Sequence, residues 1–174
     1  LAPNAQYSFR VRAKNGEGVW TVWTDLGSAY TAPNSPGALV IDLVVMSGGK
    51  LSLTAPGCRS LTLRSIGLNG NPAGTQIAIK AQSGDWLQFD GRDIRIDGLA
   101  EEWHTAAEWA GRRIRGLSPA TLYTFEATAR NAAAVPVESA LVAVGTYSTN
   151  MDGDVNRDGK VSFADQVLVR QAVI

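Results

Sequence analysis

The sequence predicts an all-β chain, a β-sandwich followed by a short helical segment, and three observations carry that prediction. Apolar and polar residues alternate strictly along 7–14, and the same pattern returns more than a hundred residues later. Eighteen glycines and seven prolines, set among many threonines and valines, suit short strands separated by frequent turns. The last two dozen residues change character: an oxygen-rich, glycine-bearing turn gives way to apolar residues at helical spacing.

The first element is the strand itself. Tyr7, Phe9, Val11 and Ala13 face one way, and Ser8, Arg10, Arg12 and Lys14 the other. Period two with one apolar side predicts a half-buried strand. The run from Leu1 to Asn15 recurs from Leu117 to Asn131 at a constant offset of 116, with Leu, Pro, Tyr, Phe, Ala and Asn in register. That spacing is too long for a solenoid unit and fits two sequential domains. The first copy begins at this strand and so lacks its front half; the chain reads as a piece of a longer protein. Asn15-Gly16-Glu17-Gly18 is its turn, and a last strand is expected near 28–31. The second copy spans about 36–148, with strands expected at 61–66, 76–82, 86–89, 114–116, 123–130 and 141–147. Asn69 to Gly74 is a turn cluster between two of them. Residues 38–46 read either as a first strand or as part of an insertion. The expected domains are 1–33, 34–149 and 150–174.

The repeated Leu-x-Pro-x-x-x-Tyr-x-Phe-x-x-x-Ala-x-Asn run resembles one strand and its entry loop in fibronectin type III domains, which are immunoglobulin-like sandwiches. The resemblance implies that Tyr7 and Tyr123 sit at a corner of the sandwich, with the hydroxyl bonded back to the backbone. It makes Leu1 and Leu117 core anchors. Asn71-Pro72-Ala73-Gly74-Thr75-Gln76-Ile77-Ala78-Ile79 is similar to the form seen in bacterial members.

The C-terminal segment carries the sharpest chemistry. Asp154, Asn156, Asp158 and Asp165 hold the first, third, fifth and twelfth places of a loop with Gly159 at the sixth. A hard cation needing six to eight oxygens is served by this spacing, so these residues are expected to bind Ca2+. Lys160 would contribute its carbonyl and Ser162 its hydroxyl, directly or through water. Asp165 closes the loop from the first turn of a helix expected over 163–173, where the EF-hand pattern has a longer Glu. From Gly153 to Val161, with Asp165 and Val167-Leu168-Val169-Arg170, the segment resembles one repeat of a type I dockerin. That resemblance implies a cohesin-like protein partner and contact positions at Phe163, Ala164, Arg170 and Gln171. Phe163-Ala164 stands where the family has a small hydroxylated pair. The family packs two repeats together; one is present here, and a second is expected to follow in the parent protein.

Two further clusters stand out. Trp20 and Trp23 follow a strand whose outer side bears Arg10, Arg12 and Lys14, so indoles and cations are expected to stack as a zipper. This resembles the tryptophan–arginine ladder of some cytokine-receptor fibronectin domains. The alternative is a carbohydrate-stacking surface, through Trp20, Trp23 or Trp86. Glu101, Glu102, His104 and Glu108, with Trp103 and Trp109, lie in a stretch that reads as a loop. The tryptophans are expected to fold it onto the sheet with its charges in water; adjacent carboxylates are poorly placed to flank a scissile bond. Cys58, without a CxxC or histidine neighbour, is expected to be a small buried hydrophobe or an incidental thiol.

Sixteen basic residues balance sixteen acidic ones, so net charge gives no reason to expect nucleic acid or an anionic membrane. No apolar run approaches the ~20 residues that span a bilayer. The expectation is a non-catalytic spacer and calcium-dependent attachment module of a secreted multidomain protein. The alternatives are a polysaccharide-binding accessory module or the inactive C-terminal part of a secreted hydrolase. An extracellular location follows from the calcium loop and the dockerin resemblance.

Overall fold

The computed structural model describes residues 1–42, 59–149, 160–162 and 164. Strands dominate them. β1 (Gln6–Val11) and β2 (Thr24–Tyr30) pair antiparallel as a separate two-stranded sheet. The second copy supplies β3 (Leu39–Ile41), β4 (Ser60–Ile66), β5 (Gln76–Ala81), β6 (Trp86–Asp90), β7 (Asp93–Gly98), β8 (His104–Thr105), β9 (Arg113–Arg115), β10 (Leu122–Arg130) and β11 (Val142–Ser148). One short helix, α1 (Ala106–Trp109), follows β8.

These nine strands form one hydrogen-bonded path, β11-β10-β5-β6-β7-β9-β4-β3, with β8 added to β5. The path folds back on itself as a sandwich. β7 is the seam: it pairs antiparallel with β6 and parallel with β9 through Ile94 and Ile114. The two end strands also meet, because the Tyr147 hydroxyl donates to the Leu39 carbonyl.

The core lies between the layers. Leu39, Ile41, Leu61, Leu63 and Ile114 on one side meet Ile77, Ile79, Leu87, Phe125, Ala127 and Ala129 on the other. Along β10, Phe125, Ala127 and Ala129 face inward at the alternation read from the sequence. Where the first strand enters, Gly37 and Gly67 bring their backbones together, with N–H to carbonyl bonds of 2.8 and 2.9 Å tying the crossing. A Cβ on Gly67 would stand 3.0 Å from the Gly37 Cα, so the approach requires glycine.

The structure changes several expectations and resolves one alternative, and β2 starts at Thr24, ahead of the expected 28–31. Leu117 is buried, but Leu1 is 93% exposed and anchors no core. β1 is not half-buried: Phe9 and Val11 are 49% and 48% exposed, because no second sheet covers them among the described residues. β7 was not among the expected strands, although Ile94 and Ile96 alternate with Asp93, Arg95 and Asp97. Residues 39–41 form a first strand, and 43–58, with Cys58, lie outside the described residues.

Candidate functional site

The sequence repeat is also a repeat of hydrogen bonds. The Ala2 N–H donates to the Tyr7 hydroxyl at 2.7 Å, and the Ser118 N–H to the Tyr123 hydroxyl at 2.8 Å. Ala5 N–H donates to Thr31 Oγ1 at 3.0 Å, and Thr121 N–H to Thr149 Oγ1 at 3.0 Å. The same threonine hydroxyls donate to Ala2 and Ser118 carbonyls, at 2.7 and 2.6 Å. Asn4 and Ala120 take matching positive φ values of 48° and 49°, and a bulge follows Phe9 in one hairpin and Phe125 in the other. β1–β2 therefore has the local geometry of β10–β11, including a corner closed by a tyrosine hydroxyl.

Between the two copies the chain is held by amides. Asn71 is buried, accepts from the Asn34 N–H at 2.9 Å, and donates to the Asn34 carbonyl and the Leu68 carbonyl at 2.8 Å each. Asn34 and Asn69 add side-chain bonds to the Asn69 and Ser35 carbonyls. Across the junction, Asn4 Nδ2 donates to Thr75 Oγ1 at 2.6 Å and Asn131 Nδ2 to the Thr31 carbonyl at 3.3 Å. Pro33 and Pro36 are buried within the same stretch. A segment with fixed proline φ angles and this many satisfied backbone groups behaves as a joint with little freedom.

Two of the three expected cations, Arg12 and Lys14, stack on the indoles. The Arg12 guanidinium carbon lies 4.1 Å from the Trp20 ring centre and 4.5 Å from that of Trp23, and Lys14 Nζ is 5.4 Å from Trp20. The second copy has separate cation–indole contacts: Arg130 stacks on Trp103 at 4.5 Å and Lys80 meets Trp86 at 5.4 Å. Four of the five tryptophans thus meet a cation. Each such contact contributes about 0.5–1 kcal/mol at an exposed site.

Trp109, the fifth, is fully buried, and its indole N–H donates to the Ile77 carbonyl at 2.9 Å. It pulls α1 onto the core as expected, but the surrounding charges are not simply in water. His104 stacks on Phe89 with centroids 3.6 Å apart, and its Nε2 lies 2.8 Å from Glu102 Oε1. The other Glu102 oxygen accepts the Phe89 N–H at 2.8 Å. Arg112 covers the Phe89 ring at 3.7 Å and donates to the carbonyls of Glu108, Gly91 and Arg92. Glu108 closes a capping box with Thr105, accepting its N–H at 2.7 Å and its hydroxyl at 2.8 Å. Those bonds hold the Glu108 carboxyl below its usual pKa, helped by His104 and Arg112. Both Glu102 oxygens are engaged in fastening the loop to the sheet. Glu101 and Glu108 are exposed.

The segment expected to bind calcium meets the described residues only at its end. Lys160, Val161 and Ser162 are exposed, and the Ala164 N–H donates to Ser162 Oγ at 3.2 Å, the contact a helix N-cap makes. Asp154, Asn156, Asp158 and Asp165, with Phe163, Arg170 and Gln171, lie outside the described residues. Among the described residues no group of three or more His, Cys, Asp or Glu could hold a metal ion. The capping box Thr105-x-x-Glu108 and the amide-tied junction were not anticipated. The first was legible as a Thr-x-x-Glu spacing, whereas the junction depends on partners far apart in sequence.

No known protein family matches the chain, and no curated protein does. Among solved structures the chain is similar to the FN1–FN3 domains of chicken CNTN1. Identity is 15%, the match covers 86% of this chain and 42% of that one, and the TM-score is 0.38. This chain thus spans less than half the length of that neighbour. The fold stands on its own strand order and tyrosine-closed corners: a nearly all-β, sandwich-like arrangement.

Proposed function

We propose that the chain is a non-catalytic spacer and calcium-dependent attachment module of a secreted multidomain protein. The observation that carries the spacer reading is the junction at Asn34, Asn71, Asn4 and Asn131, which joins two fibronectin-like units through side-chain hydrogen bonds instead of a loose linker. A spacer transmits position, and a stiff joint preserves it. The attachment reading rests on the donor set Asp154, Asn156, Asp158, Lys160, Ser162 and Asp165, whose oxygens suit a hard cation. The Ser162 cap supports a helix start at the place where such a loop ends.

Bound calcium would neutralise the loop carboxylates and fix the entry to the following helix. A helix of about eleven residues is marginal alone in water, so ion binding would supply part of its folding free energy. Phe163, Ala164, Arg170 and Gln171 would then be presented to a cohesin-like domain, in concert with a second repeat supplied by the parent protein. The alternative of a polysaccharide platform is less favoured because Trp20 and Trp23 already share Arg12.

Calorimetric titration of the whole chain with CaCl2 tests the metal half. One calcium per chain is expected, abolished in Asp154→Ala/Asp158→Ala while the sandwich melts unchanged. No heat at millimolar calcium would remove the attachment function and leave the spacer. Retention on immobilised cellulose or xylan, lost in Trp23→Ala, would instead favour the polysaccharide reading.

A further inference from the structure

β7 and β9 touch through one pair, Ile94 with Ile114, and then part. β7 continues beside β6, with Arg95 opposite Gln88 and Ile96 opposite Leu87, whereas β9 stays with β4 through Arg115 and Ser60. Gly116, at a φ of 76°, then turns the chain away. The opening is a recess of about 410 Å³ lined by Asp90, Arg95, Ile96, Asp97, Arg115 and Gly116. All six lie in the sandwich and none on the β1–β2 hairpin. The volume falls within the ~300–1,000 Å³ of small-molecule sites, near the end that admits a single ring.

The lining offers donors, acceptors and one apolar patch. Arg95 Nε lies 3.6 Å from Asp90 Oδ2 and 3.4 Å from Asp97 Oδ2, ion pairs too long to be good hydrogen bonds. Among the described residues the Arg95 guanidinium makes no hydrogen bond, and neither does either aspartate. Arg115 meets Asp93 at 2.9 Å through one terminal nitrogen. Three carboxylates against two guanidinium groups leave these pairs close to neutral, which gives a strongly charged ligand little advantage. Ile96 is half-buried and packs against the core, so one apolar surface faces the opening. An ammonium ligand would have to displace Arg95 from between its two aspartates. A hydroxyl uses both kinds of partner at once, donating to a carboxylate oxygen and accepting from a guanidinium N–H.

We propose that this recess binds a neutral sugar ring, with two adjacent hydroxyls held by Asp97 and Arg95 and the carbon face of the ring laid on Ile96. A free monosaccharide and the end of a polysaccharide chain share that chemistry. The recess is open and its charged side chains are about half exposed, so affinity falls in the millimolar range. The site is separate from Trp20 and Trp23 and uses no residue of the expected calcium segment.

The probes are glucose, xylose, galactose and mannose, titrated to tens of millimolar into the isotope-labelled whole chain. At least one is expected to shift the amide resonances of Ile96, Asp97, Arg115 and Gly116 to saturation. Cellohexaose and xylohexaose separate the two sources: tighter binding than the monosaccharide assigns a chain end, and equal or weaker binding a free sugar. Cyclohexanol, a ring without adjacent hydroxyls, is expected to leave those amides unmoved, and glucuronate to bind no more tightly than glucose. Asp97→Ala is expected to weaken the sugar about tenfold, and Arg95→Lys, which keeps the charge and loses the fork of donors, by a similar factor. Both side chains are about half exposed, so the melting transition stays in place, and Trp23→Ala leaves the affinity unchanged. No saturating shift with any sugar, equal shifts with cyclohexanol, tighter binding of glucuronate, or full affinity in both Asp97→Ala and Arg95→Lys would each overturn the proposal.

Discussion

A single hydroxyl shows how context sets the value of a residue. Tyr7 and Tyr123 make the same bond to a backbone N–H five residues upstream. Tyr123 packs against the sandwich core and is part of its folding unit, whereas Tyr7 sits on an uncovered hairpin. Tyr123→Phe removes the acceptor of Ser118 and is expected to lower the stability of the sandwich by about 1 kcal/mol, the usual net worth of such a bond. Tyr7→Phe is expected to leave the same transition unmoved. Urea melts of the two variants, followed by the fluorescence of buried Trp109, distinguish them; equal losses would mean that the hairpin and sandwich unfold as one unit. Gly145 illustrates the same dependence. The Tyr147 ring crosses it to reach Leu39, so a Cβ there would stand 2.6 Å from the ring and push apart the two end strands.

At the scale of elements, α1 owes its existence to one cap and one anchor. Four residues do not hold a helix in water; the Thr105–Glu108 box satisfies its first N–H groups and Trp109 fastens it to Ile77. Because the folded Glu108 carboxyl has a lowered pKa, its contribution is complete above the ordinary carboxylate value near 4.5 and is lost as pH falls through the lowered folded value. Amide exchange at Thr105 is therefore expected to accelerate in that acidic window, and Glu108→Gln to abolish the acceleration. An unchanged acid profile in that variant would mean another group controls the cap. How much of this was legible in the sequence differs by element. The six strands expected in the second copy stand within a residue of their places, because each alternates against a core and is bounded by a turn. The ladder was legible because cations two apart on a strand share a side. β7 escaped notice because its charged residues dominate its two isoleucines, and α1 because four residues cannot show helical periodicity. Burial of β1 was misjudged since alternation reports which side is apolar and says nothing of whether another sheet covers it.

For the whole molecule the decisive quantity is how freely the hairpin turns relative to the sandwich. The joint is short, and it is tied across sequence separations of 37 to 100 residues, although the buried Asn4 Oδ1 accepts no bond among the described residues. Asn71 is its centre: one buried side chain accepts from Asn34 N–H and donates to two carbonyls, so it stands in for a missing stretch of backbone pairing. Asn71→Ala removes the side-chain partners of the Asn34 N–H and carbonyl, while the Leu68 carbonyl keeps the residue-71 backbone N–H, and is expected to cost about 1–3 kcal/mol. Much of that loss falls on the joint itself, since Gly37–Gly67 and the core contacts lie beyond it. The expected signature is therefore mechanical as well as thermodynamic. Nitrogen relaxation should show Tyr7–Val11 amides tumbling with the sandwich in the parent chain and independently of it in the variant. A conservative Asn71→Asp change keeps the acceptor for Asn34 but loses both donated bonds, so it should loosen the joint partially. If hairpin and sandwich already tumble independently before any substitution, the chain is a flexible tether and the spacer reading gives way to one in which position is not transmitted.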